Sequence, residues 1–210
     1  NVVCGNLVTD IEQEVSIGNS GMNNTCYKTH NWNDTGTVDC TYLCCITPYD
    51  NMRIEKDTQL CPGEYLLNDS GYPGVTIINN SDVTFDCNYA SLIGNQSGIG
   101  IYNDGHDNVT LINCNISHYD AGIKLNNAKY NNLSNNIVTG NSVGIYLSYV
   151  NNSQLVSNTV RYNGLDGIYL WESSNNELSW NDACAQIELD IRVSHGSGNY
   201  GGRNKCNYSI

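Results

Sequence analysis

The chain has 210 residues, with 21 acidic against 9 basic side chains and a formal charge of −12. That balance argues against nucleic acid or an anionic membrane surface as a partner, and no apolar run approaches the length needed for membrane insertion. Ten cysteines, an even number, indicate an oxidising compartment. With no signal sequence left at Asn1, the chain is expected to be a processed, secreted product found outside the cell or on its surface.

Residues 1–50 hold Cys4, Cys26, Cys40, Cys44 and Cys45, half of all the cysteines. Positions 8–15 suit a short amphipathic helix or an irregular strand. The segment Cys40-x3-Cys44-Cys45 lacks a CxxC pair or an accompanying histidine, so structural disulfides are expected there rather than zinc.

From Met52 to Ile93 the apolar positions begin to recur, and Ile54, Leu60, Leu66, Val75, Ile77, Val83, Phe85, Leu92 and Ile93 are the expected inward residues. Gly71-Tyr72-Pro73-Gly74 reads as a turn. Val75 and Ile77 precede Ile99 and Ile101 by 24 residues, which predicts that this segment stacks on the next.

From Gly98 onward the chain repeats itself. Gly98-Ile99-Gly100-Ile101, Gly122-Ile123-Lys124-Leu125, Gly144-Ile145-Tyr146-Leu147 and Gly167-Ile168-Tyr169-Leu170 are copies of one strand, and Asp190-Ile191-Arg192-Val193 is a fifth with an acid in place of glycine. A second register runs in step through Leu111, Leu133, Leu155 and Leu178, followed three residues later by Cys114, Asn136, Asn158 and Asn181, with Asn204 23 further on. Ile116, Val138, Val160 and Ala183 form a third. Within each copy the apolar residues alternate, the period of a strand with one buried face. The reading is an all-β, right-handed, single-stranded parallel β-helix of about 22–26 residues per coil and six or seven coils, over residues 51–210. Asn tolerates the left-handed backbone of tight bends, and its amide can bond the Asn one coil above. A bare end would expose unpaired backbone and an open core, so residues 1–50 are the expected cap, or else an arm for assembly.

The phrases Leu60-Cys61-Pro62-Gly63-Glu64-Tyr65 and Asp82-Val83-Thr84-Phe85-Asp86-Cys87, with the repeated Gly-Ile-x-Leu and Asn-Asn-x-Leu-x-x-Asn, resemble the parallel β-helix repeats of carbohydrate-binding proteins, sugar hydrolases and archaeal and bacterial surface proteins. The resemblance implies the fold; the same repeat carries lyases, epimerases, hydrolases, phage tailspikes and inert surface proteins.

Cysteine spacing adds detail. Cys184 and Cys206 lie 22 apart, one coil, and are expected to bridge. Cys61, Cys87 and Cys114 lie 26 and 27 apart, again about one coil each. Asn23, Asn33, Asn68, Asn79, Asn95, Asn108, Asn115, Asn132, Asn151 and Asn207 each open an Asn-x-Ser/Thr acceptor sequence for N-glycosylation.

For catalysis the candidates are His118, Asp120 and Lys124, close in sequence at one bend, with Arg161 and Asp166 two coils away. Against them, Asp120 suits a turn bonding its own backbone, and Lys124 a solvated outward position. The loop from Asn103 to Asn108 spaces its acids as a calcium site would but lacks the rest of such a signature; no other cofactor is indicated. The resemblance would imply an Asn-Thr-Asp, an Asp-Asp, a Gly-His-Gly and an Arg-Ile-Lys for a polygalacturonase, and an Asp-Pro-His for a mannuronan epimerase; the sequence has none of them. Tyr146 and Tyr169 are successive outward residues in a column that starts with Gly100 and Lys124, and Tyr149 and Trp171 lie just beyond. These aromatics suit sheet stabilisation, a subunit interface or a platform for carbohydrate. The reading carried forward is an extracellular structural protein whose partner is itself, in a filament, sheath or surface layer. A polysaccharide-active enzyme and a glycan-binding or viral spike module are the alternatives.

Overall fold

The computed structural model describes residues 44–68 and 74–205 and, before them, the strands Val2–Val3, Ile11–Glu12, Thr25–Cys26 and Thr29–His30. The chain divides into two compact units, Asn1–Ile46 and Thr47–Ile210. In the first, Val2–Val3 pairs in parallel with Thr25–Cys26, and Ile11–Glu12 with Thr29–His30. The remainder of positions 8–15, the side chains of Cys4, Cys26 and Cys40, and the acceptor residues Asn23, Asn33 and Asn207 lie outside the described residues. So does most of the turn expected at 71–74.

The second unit is a right-handed parallel β-solenoid of about six turns. Each full coil contributes one strand to each of three parallel sheets, as Ala121–Asn126, Asn132–Ser134 and Ile137–Thr139 do in succession. We call these sheets the long, leucine and corner sheets after their strands. Ile101, Ile123, Ile145, Ile168 and Ile191 stand in register across the long sheet. Phe85, Leu111, Leu133, Leu155 and Leu178 do so across the leucine sheet. Leu92, Ile116, Val138, Val160 and Ala183 complete the bore from the corner sheet. Ile123, Ile145 and Ile168 are fully buried, and burying each such side chain contributes about 1.5–3 kcal/mol.

Bends between sheets turn on residues of positive φ. One column runs Asn113, Asn135, Ser157, Trp180 and Arg203, and another Asn108, Tyr130, Asn152 and Asn175. A left-handed residue with a side chain costs about 1–2 kcal/mol, and buried amides offset that cost. Asn158 Nδ2 donates to Leu133 O at 2.8 Å and to Asn181 Oδ1 at 2.9 Å, while its own Oδ1 accepts from Asn136 N and Nδ2. Asn181 repeats the pattern toward Asn204. A second ladder, Asn141–Asn163–Gln186, follows the corner sheet, and a third, Asn131–Ser153–Asn176–Asn199, precedes the leucine sheet. At the head of the first ladder Cys114 N donates to Asn136 Oδ1, and Cys114 is bonded to Cys87 in the coil before, with Cα atoms 4.8 Å apart. The disulfide thus occupies the position of an amide rung.

The column of glycines in the long sheet has a steric cause. A Cβ on Gly144 would lie 2.5 Å from both Gly167 O and Val160 Cγ1, so the corner-sheet valines fill the space.

Several expectations are corrected. The first repeat copy is Gly100-Ile101-Tyr102-Asn103 rather than Gly98 to Ile101, because Ile101 pairs with Ile123 and Tyr102 with Lys124. On the other side Ile101 pairs with Thr76 and Tyr102 with Ile77, an offset of 25 rather than 24. The reason is a bend between Leu92 and Ile101 that spans nine residues, where Ile116 to Ile123 spans seven. The extra room is filled by Tyr119, fully buried, whose hydroxyl donates to Leu67 O across 52 residues. Leu66 is 79% exposed and its neighbour Leu67 is buried, so the inward position there is one residue later; Ile93, which pairs with Leu66, and Ile77, which pairs with Arg53 and Tyr102, likewise stand on the outward side of their strands. Finally, Cys184 carries a free thiol. Asp182 bridges to Lys205, an advance of 23 residues, where the expected pairing of Cys184 assumed one of 22. Cys206 itself lies outside the described residues. Cys44, Cys45 and Cys61 are disulfide-bonded.

Candidate functional site

The outward side of the long sheet carries a column of charged and aromatic side chains. Its central column reads Arg53, Ile77, Tyr102, Lys124, Tyr146, Tyr169 and Arg192, since each pairs with the next across the sheet. Strand alternation puts these side chains out while Ile145 and Leu147 point in. The rings of Tyr146 and Tyr169 stack at 5.1 Å, inclined by 20°. Lys124 Nζ lies 5.5 Å from the Tyr146 centroid and the Arg192 guanidinium 5.4 Å from that of Tyr169. Coil order places the two cations on the outer faces of the ring pair, so each ring face has a partner within the sheet. The array is a cation–ring–ring–cation stack, with a ring–ring contact of about 0.5–1.5 kcal/mol and cation contacts of about 0.5–1 kcal/mol each. Trp171 meets Tyr169 edge-on at 6.4 Å and His195 at 4.6 Å. Tyr149 stands apart from this stack, half exposed at the adjoining bend, where it lines an open hollow of about 310 Å³ with Asp107, Asn127, Lys129 and Asn151.

Arg192 is anchored by two acids. Its Nη2 donates to Glu188 Oε2 at 2.7 Å, and its Nε lies 3.1 Å from Asp166 Oδ1, a charge contact rather than an aligned hydrogen bond. Asp166 is buried, and loss of water pushes its carboxyl above the usual range despite Arg192. One bend away, Arg161 forks onto Asp182, with Nε donating to Oδ1 at 3.1 Å and Nη2 to Oδ2. That hydrogen bond holds the Asp182 carboxyl below its usual range. Burial, then Asp182, pushes the neighbouring Cys184 thiol up to about 11, so it stays a thiol at neutral pH.

The catalytic candidates have separate engagements, and no hydrogen bond or ion pair joins them among the described residues. His118 sits exposed at a bend with Nδ1 3.0 Å from Ser117 Oγ. Asp120 Oδ2 accepts from Gly98 N at 2.9 Å; it ties two coils rather than closing its own turn. Lys124 is drawn onto Tyr146 rather than simply solvated. In the 103–108 loop Asn103 is fully buried and closes the turn through His106, Asp104 accepts from Asn126, and Asp107 accepts from Lys129 N. Among the described residues no group of three His, Cys, Asp or Glu side chains comes together as a metal site. The sequence pattern pointed to Tyr146 and Tyr169 but not to Tyr102, Asp166, Glu188 or Arg192 as parts of one face. Extending the outward column by register alone would have found Arg192.

Residues 66–200 match the family model of the right-handed β-helix region. The chain belongs to that family. No curated protein matches this β-helix. In solved structures it is similar to the periplasmic alginate epimerase AlgG, with a TM-score of 0.56 and 14% identity over 89% of this chain and 49% of that one. At that identity the likeness is one of fold, and this β-helix spans about half of the epimerase's length.

Proposed function

We propose that this β-helix is an extracellular structural protein that joins copies of itself by continuing its own stack, in a filament, sheath or surface layer. The supporting observation is its last described rung. Earlier members of the long-sheet columns, Ile145 with Leu147 and Ile168 with Leu170, are fully buried. Their successors are not: Ile191 is half-buried and Val193 is 38% exposed. With Leu178, Asn199, Tyr200, Gly201 and Asn204 they line a hollow of about 240 Å³. A further rung would bury this apolar edge at about 25 cal/mol per Å². The cysteine-rich first unit is proposed as a cap or docking arm, and the disulfides suit an oxidising site outside the cytoplasm.

Electron microscopy and light scattering of the native protein test this reading. Polymers or rings are expected, and Val193→Asp, which puts a charge on the proposed joint, should return monomers with unchanged thermal unfolding. A wild type that stays monomeric at high concentration overturns it.

The epimerase-like fold keeps a polysaccharide-active reading in view. Turnover of uronate polymers, with or without calcium, that is lost in Asp120→Ala would favour it.

A further inference from the structure

Six of the Asn-x-Ser/Thr sequences are described over all three residues, and the fold treats them differently. Asn79, Asn108 and Asn115 each commit an amide proton between coils: Nδ2 donates to Glu55 at 3.1 Å, to Asp82 at 2.8 Å and to Tyr89 O at 3.1 Å. In the sequence beginning at Asn151 the hydroxyl of Ser153 is buried and serves the inner ladder. Asn132 lies within a strand of the leucine sheet, between Thr110 and Gln154.

Asn95 is in another situation. Asn95, Gln96 and Ser97 are all exposed, and they form the crest of the nine-residue bend between Leu92 and Ile101, two residues wider than the bend below it. Gln96 turns the crest with a φ of +73°. Ser97 Oγ donates to Asn95 Oδ1 at 2.7 Å, which fixes the amide plane through its oxygen. Asn95 Nδ2 donates no hydrogen bond to any described residue, so replacing one of its protons breaks none among them.

We infer that Asn95 is an N-glycosylation site of the folded body. The donor is a diphosphate-linked glycan: the new bond joins Asn95 Nδ2 to the sugar C1, the C1–oxygen bond to the diphosphate breaks, and Nδ2 gives up one proton. The inference rests on the extracellular part of the proposed function. Mass spectrometry of peptides from protein isolated from its own source tests it, with the Cys87–Cys114 bond assayed in the same sample as an independent mark of location. The peptide containing Asn95 should carry a glycan mass in most copies. Asn95→Gln should remove that mass while leaving thermal unfolding within a degree or two, and Asn115→Gln should leave the glycan on Asn95. Bare Asn95 in protein whose disulfide is intact overturns the assignment alone; bare Asn95 with Cys87 and Cys114 reduced overturns it together with the extracellular reading.

Discussion

At the bend that follows the leucine sheet, the coil from Cys87 to Cys114 is closed by a disulfide, and the coils after it by Asn136, Asn158, Asn181 and Asn204. The first of these coils is 27 residues long and the later ones 22 or 23. An amide ladder needs every bend to present the same carbonyl and the same neighbouring amide at the same height, which only a regular repeat supplies. A covalent bond asks only that two Cα atoms come close, and it tolerates a long and irregular coil. The regular half can therefore dispense with cysteine, and the irregular half cannot rely on asparagine.

The largest expected effect lies in the regular half. Asn158→Ala should cost about 4 kcal/mol, because it removes the acceptor shared by Asn136 N and Nδ2 and the donor to Leu133 O and Asn181 Oδ1 in a dry interior where each unsatisfied group costs about 1–3 kcal/mol; denaturant unfolding measures it. Close behind, Cys87→Ser with Cys114→Ser should cost about 3.5 kcal/mol, from the loop entropy of a 27-residue closure. If the disulfide stands in for an amide rung, Cys114→Asn should be milder than Cys114→Ala in reduced protein. Gly144→Ala should cost about 2 kcal/mol by overpacking against Val160 and Gly167 O, whereas Gly164→Ala, whose Cβ meets nothing closer than 3.7 Å, should cost little.

The smallest effect is a change of pH dependence. Asp166 binds its proton more tightly folded than unfolded, because burial raises its pKa from the ordinary 3.8. Its contribution to stability is full below pH 3.8 and is lost as pH rises through the folded value. Asp182 behaves oppositely: Arg161 lowers its pKa, so its contribution is present above pH 3.8 and is lost as pH falls through the folded value. Asp166→Asn should flatten the loss of stability just above pH 3.8 and leave the acid-side loss in place, as read by thermal unfolding across pH.

The fold was legible where the repeat is strict. The columns through Ile123, Leu133 and Val138 follow from period alone, and so did the Asn ladder, since one residue type at one spacing in tight bends has few other uses. What was not legible came from insertions. Two extra residues between Leu92 and Ile101 leave the apolar pattern looking intact at Gly98-Ile99-Gly100-Ile101 while the true register begins two residues later. Nothing local marks Tyr119 as the side chain that fills the widened coil. The same holds for Leu66 and Leu67, two leucines in a row with no period to choose between them, and for Cys184, whose thiol is free where the coil advances by 23 residues. On the candidate face, the tyrosine pair could be read from the sequence, but the cations that cover it could not. Lys124 and Arg192 become partners of the rings only through stacking of coils that are distant in sequence.

Hydrogen exchange of the oxidised and the reduced protein, followed peptide by peptide, tests the division between the two halves most directly. The account predicts that reduction speeds exchange in residues 84–114 while residues 136–181 keep their protection. Equal loss of protection in both stretches would contradict it, because the ladder would then depend on the disulfide rather than stand beside it.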